Sequence, residues 1–74
     1  MVTIEGITYI SPPEAEEELA IPRSTVYNWV RTGAVPILDL ALANELKDRG
    51  LVDSMYLIPI EELRAKHKEV HLET

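Results

Sequence analysis

Three groups of side chains in this 74-residue chain are of types that do chemistry, and each implies a different one. Glu14, Glu16, Glu17 and Glu18 gather carboxylates into one short stretch. Carboxylates become acids or bases at neutral pH only in a pocket that perturbs them. Nothing in the flanking residues suggests one, so the run reads as the solvated face of a helix. His67 and His71 stand four apart, a spacing that lets one helix face hold a metal. No third ligand accompanies them except Glu69, which points elsewhere, so no metal site is expected. The third group is Arg23, Ser24, Thr25, Tyr27, Asn28 and Arg31, a dense set of hydrogen-bonding side chains within nine positions. These types suit phosphate oxygens and base edges. The chain has neither a Gly-rich phosphate loop nor a Ser-His-Asp set, so no enzyme activity and no cofactor are expected.

The third group needs an element that holds it outward, and the local pattern supplies one. Ser11 to Gly33 reads as two short helices joined by a tight turn. Ser11 and Glu14 form a capping box, and Pro12 falls at the first helical position. Glutamates then sit near the positive end of the helix dipole. Ala20-Ile21-Pro22 breaks this helix and starts the next, and Gly33 is a good stop. On the second helix, Arg23, Ser24, Tyr27, Asn28 and Arg31 share one face, with Val26, Trp29 and Val30 on the other. Ala15, Leu19, Ile21, Val26 and Trp29 have the spacing that two steeply crossed helices need for a shared core. The result is a helix-turn-helix, whose second helix ordinarily meets a major groove.

The rest of the chain is framework. Val2 to Ile10 alternates like a strand, with Glu5-Gly6 as a turn, and Thr8–Ile10 is the firmest part. Val35 to Leu38 is extended. Asp39 caps a third helix, Leu40 to Arg49, ended by Gly50. Leu38, Leu42 and Leu46 form an apolar stripe, which completes the core or offers a contact surface for a protein or a second copy. Met55 to Ile58 reads as a strand, and Pro59 opens a last helix from Ile60 to about Val70. Of the last four residues, His71 to Thr74, no structure is read.

Composition narrows the classes. A chain this short is one domain, and such domains bury only about 60% of their unfolded surface. Cysteine is absent, so there is no disulfide framework and no thiolate metal site. Val35 to Ala43 is the longest apolar-leaning run and is too short for a bilayer, and Met1 to Ile10 lacks a signal-peptide pattern. A cytoplasmic location is the default expectation. The net charge of −6 argues against a generic polyanion binder. Its distribution is uneven: residues 1–22 carry −5, residues 23–36 carry +2, and residues 37–74 carry −3. The one positive segment coincides with the second helix, and within it Arg23, Ser24, Thr25, Asn28 and Arg31 have no neighbouring acid.

The runs YISPPEA, LAIPRSTVYNWVRTG and YLIP-x-EEL resemble the MerR-like, excisionase-type winged helix-turn-helix domains. The resemblance covers roughly residues 8–36 and 55–66, and is sharpest at Ser11–Ala15, Arg23–Tyr27, Trp29 and Gly33. It implies a small α+β, mostly α, winged helix-turn-helix over residues 1–74. The helix-turn-helix would span about 11–33, a wing about 35–58 and a C-terminal helix about 59–70. The sheet would consist of Thr8–Ile10, Val35–Leu38 and Met55–Ile58. The resemblance further implies sequence-specific binding of double-stranded DNA, by a small transcriptional regulator or excisionase-like factor, with the second helix in the major groove. Arg23, Ser24, Thr25, Tyr27, Asn28 and Arg31 would form the DNA face.

The departures are specific. Glu16 stands where the family has a small residue, which implies a changed helix crossing or a snorkelling side chain. Ala20 occupies a turn position usually held by glycine. Asn28 and Ala34 replace frequent basic residues. The largest departure lies in the wing, where a helical insert, Leu40–Gly50, replaces a short basic turn. These losses of positive charge favour a rival reading, a protein-interaction module on a helix-turn-helix scaffold. The bland alternatives are plain as well: Arg23 and Arg31 as solubilising residues, Asn28 as an ordinary helix surface residue, and Tyr27 packed on the wing.

Overall fold

The computed structural model describes residues 1–72, with side chains through residue 70. Within them the order is β1 (Val2–Ile4), β2 (Ile7–Ile10), α1 (Pro12–Leu19), α2 (Arg23–Thr32), α3 (Leu40–Asp48), β3 (Ile58–Pro59) and α4 (Ile60–Leu72). The fold is α+β and mostly helical. Its sheet is antiparallel in the order β1-β2-β3.

The first strands form a hairpin because Glu5 and Gly6 both take left-handed backbone, φ 51° and 81°. That pair of conformations matches the twist of the flanking strands. The register sets Val2 opposite Tyr9 and Ile4 opposite Ile7. Successive residues of a strand face opposite ways, and β2 uses this to serve two cores. Tyr9 joins Val2 and Ile4 on one face, packed against Leu38, Ala43, Val52 and Leu57. Ile10 turns to the other, among Ala15, Ile21, Val26, Trp29, Val35, Ile58, Ile60 and Leu63.

Ser11 ends β2 and caps α1. Its Oγ accepts from the Glu14 N–H at 3.4 Å, and the Glu14 carboxylate accepts from the Ser11 N–H at 3.2 Å and from its hydroxyl at 2.9 Å. α1 stops at Ala20, which takes a left-handed conformation at φ 57°. Ile21, 1% exposed, then plugs the gap between α1 and α2. Gly33, at φ 77°, ends α2 by donating to the carbonyls of Trp29 and Val30. The five expected core positions all take part: Ala15, Ile21, Val26 and Trp29 are buried, and Leu19 is half-buried against them.

Two strand expectations need correction. Val35 to Leu38 forms no strand. It anchors through buried Val35 and Leu38 and makes one sheet-like bond, from the Leu38 N–H to the Leu57 carbonyl at 2.8 Å. Pro36 has no N–H to give to a ladder. The Met55–Ile58 strand shrinks to Ile58–Pro59, and its partner is β2 (Tyr9 with Pro59, Ile10 with Ile58). The expected three-stranded arrangement is thus replaced by an N-terminal hairpin plus one short strand, and residues 35–58 form no two-stranded wing.

α3 has its cap as expected, with Asp39 Oδ1 accepting from the Ala41 N–H at 2.8 Å. Leu38 is buried, and Leu42 and Leu46 lie half-buried against the second core. The stripe therefore contributes to the second core, with Leu42 and Leu46 keeping part of their surface exposed. α4 begins with buried Ile60 and Leu63 and continues to Leu72. Among the described residues no buried side-chain nitrogen or oxygen lacks a hydrogen-bond partner.

Candidate nucleic-acid interface

α2 is amphipathic in a way that fixes its outer face. Val26 is fully buried and Trp29 is 8% exposed, which clamps one side of the helix into the first core. Ser24, Tyr27, Asn28 and Arg31, at i, i+3, i+4 and i+7, consequently share the opposite, exposed side and line a shallow surface groove. Within the groove the Arg31 guanidinium donates to Asn28 Oδ1 at 2.7 Å. The Thr32 hydroxyl donates back to the Asn28 carbonyl at 2.9 Å. Two of the expected contact residues are thus held relative to one another before anything binds.

Thr25 and Arg23 stand apart from that row. Thr25 is half-buried and outside the groove lining. Arg23 is exposed but engaged. Its Nε and Nη2 donate to Glu16 Oε1 at 3.2 and 3.1 Å, and its backbone N–H donates to Glu16 Oε2 at 3.0 Å. The expectation that Arg23 has no acidic neighbour is wrong, because the turn folds α1 back beside the start of α2. The same contact explains the departure at Glu16. Pro22, the N-cap of α2, makes no side-chain cap bond, and Glu16 reaches across from α1 to accept from the first helical N–H. The backbone bond from Arg23, then its guanidinium, hold the Glu16 carboxyl below its ordinary pKa.

Tyr27 is 41% exposed and leans edge-on against Tyr56, with ring centres 6.0 Å apart and planes at 84°. Tyr56, itself 40% exposed, comes from the segment that leads into β3. The sequence reading that Tyr27 packs on the 35–58 segment matches this contact, but it did not single out Tyr56. The only signal was its place just ahead of the Leu-Ile-Pro run. Glu16 was noticed as an anomaly but not as a partner of Arg23.

The remaining chemistry-bearing groups assemble nothing comparable. Glu17 and Glu18 are exposed on α1. Glu14 belongs to the Ser11 capping box and also receives the Met1 ammonium. His67 is half-buried on α4, and the His71 side chain lies outside the described residues. Among the described residues no three His, Cys, Asp or Glu side chains gather as metal ligands. No described helix is long and apolar enough to cross a membrane. A comparison with family models, curated proteins and solved structures finds no match.

Proposed function

We propose that this protein is a double-stranded DNA-binding module that inserts α2 into the major groove, in the manner of a small transcriptional regulator or an excisionase-like factor. The observation that carries the reading is the exposed row Ser24, Tyr27, Asn28 and Arg31 on a helix whose opposite face is locked by Val26 and Trp29. A rigid helix presenting an amide, two hydroxyls and a guanidinium has the donors and acceptors that major-groove edges and phosphates require. Asn28 has the amide that pairs with adenine, and Arg31 supplies positive charge at the far end of the row. The MerR-like resemblance of the sequence points to the same orientation, although residues 35–58 form no two-stranded wing. A cytoplasmic location accompanies this reading.

The low positive charge sets the expected behaviour. Only Arg23 and Arg31 stand in the positive segment, so few phosphates are neutralised, and non-specific affinity is weak with a shallow salt slope. The rival reading, a protein-interaction module, draws on the net charge of −6 and on the Leu38/Leu42/Leu46 stripe, of which Leu38 is buried and Leu42 and Leu46 are half-buried.

The deciding experiment is an NMR titration of the labelled protein with mixed-sequence duplex DNA at low and moderate salt. Shifts concentrated on residues 23–31 that fade with salt support groove insertion. Absence of shifts at low salt sinks generic DNA affinity and returns the protein-interaction reading to first place.

A further inference from the structure

We infer that Glu16 is a specificity-determining residue of the DNA face: its carboxylate competes with phosphate for Arg23, so that weak non-specific contacts fail to recruit this arginine. The inference rests on the DNA-binding reading above.

The geometry of the pair carries the argument. Glu16 accepts from the Nε–Nη2 edge of the Arg23 guanidinium through Oε1 and from the Arg23 backbone N–H through Oε2, three donors on one carboxylate. These are the donors a phosphate near the start of α2 would use, and a carboxylate offers a similar pair of oxygens. Both side chains are about half exposed, 54% for Arg23 and 44% for Glu16, so a phosphate can reach the pair without unfolding anything. An exposed pair of this kind is weak and screened by solvent. A well-placed phosphate at a specific site displaces Glu16, whereas a transient one does not. Without Glu16, Arg23 would be available to every backbone it met.

Glu16 also has a structural task, capping α2 through the Arg23 N–H, and the variants separate the two roles. Glu16→Gln keeps an oxygen for that N–H and removes the charge. Arg23→Gln removes the guanidinium. Affinity for a mixed-sequence duplex is measured by anisotropy across a salt series for the wild type, E16Q, R23Q, the double variant and R31Q, with thermal unfolding of each.

Glu16→Gln is expected to bind the mixed duplex more tightly, by up to about fivefold, the scale of a weak exposed ion pair. Its salt slope should steepen by about 1, because Arg23 then neutralises one further phosphate. The double variant should match R23Q alone, because Glu16 acts only through Arg23. An E16Q protein with wild-type affinity and slope, while R31Q weakens binding, would overturn the inference and leave the DNA reading standing. A tighter affinity that persists in the double variant would also overturn it, since the effect would then be general charge. Failure of every variant to bind at low salt would overturn the inference together with the reading beneath it.

Discussion

Ala20 carries a cost that glycine would not. It ends α1 in a left-handed conformation, which places its Cβ against a backbone oxygen. Glycine adopts the same φ without that clash, at some cost in unfolded-state entropy. Ala20→Gly should therefore stabilise the protein by up to about 1 kcal/mol. For a domain of this size that is a rise in Tm of about 4–8 °C. A fall in Tm would show that the turn relaxes to accommodate the methyl. The Ser11–Glu14 capping box gives a prediction in pH. Partial burial raises the Glu14 carboxyl, but the Met1 ammonium and both bonds from Ser11 outweigh it, so its folded pKa lies below the ordinary 4.5. The stability that Glu14 contributes is then present above pH 4.5 and fades as the pH falls through the folded value. Glu14→Gln should unfold more easily than the wild type at pH 7 and converge on it in acid. Denaturant titrations at several pH values check this, and a constant gap between the two would remove the charge from the explanation.

At the scale of elements, α3 and the Tyr56 segment have roles that the sequence alone left undecided. The α3 stripe joins the second core: Leu42 and Leu46 lie half-buried against the cluster of Leu38, Ala43, Val52 and Leu57, against which Val2, Ile4 and Tyr9 also pack. Large-to-small changes in cores cost about 2–5 kcal/mol, and half-buried positions fall at or below the lower end. Leu42→Ala and Leu46→Ala should each destabilise by about 2 kcal/mol without altering the oligomeric state, measured by denaturant unfolding and sedimentation. A variant of normal stability but smaller assembly would identify the stripe as an interface. Tyr27 and Tyr56 tie α2 to the approach of β3. Edge-to-face aromatic pairs contribute about 0.5–1.5 kcal/mol beyond area burial, and exposure puts this one at the low end. A double-mutant cycle with Tyr27→Ala and Tyr56→Ala should give a coupling of about 0.5 kcal/mol. Coupling indistinguishable from zero would mean that the two rings merely share a surface.

The whole molecule is small, and its two cores meet at β2, where adjacent residues Tyr9 and Ile10 face opposite ways. Leu57 is fully buried in the second core, and Ile58, next to it, is fully buried in the first. The short segment before α4 thus joins the cores a second time. Removing either side chain should unfold both cores in one transition. Leu57→Ala should cost about 2–5 kcal/mol, a large share of the 5–15 kcal/mol typical of a native domain. The single tryptophan, Trp29, lies in the first core, so its fluorescence reports whether that core melts together with far-ultraviolet ellipticity. Separate transitions would show that the second core and the α1–α2 pair are independent units.

Much of this arrangement was legible in the residues because its causes are local. The Ser11 capping box, the stop at Gly33, the Glu5-Gly6 turn and the Asp39 cap each depend on neighbours within a few positions, and all four form as read. The face of α2 follows from helical periodicity, so the row Ser24, Tyr27, Asn28 and Arg31 was visible as well. What the sequence left open were pairings between distant segments. Val35–Leu38 and Met55–Ile58 have strand-forming residues, but β2 offered its edge to Ile58 and Pro59, and Pro36 could not extend a ladder. The stripe on α3 is equally compatible with a core and an interface in the sequence, and only the fold shows that Leu42 and Leu46 lie half-buried against the second core. Glu16 and Arg23 lie on different helices, and only the tight turn at Ala20 brings the carboxylate to the start of α2. Local order follows from backbone preference and short-range hydrogen bonds. Which apolar face covers which, and which charge meets which, depends on how the whole chain closes on itself.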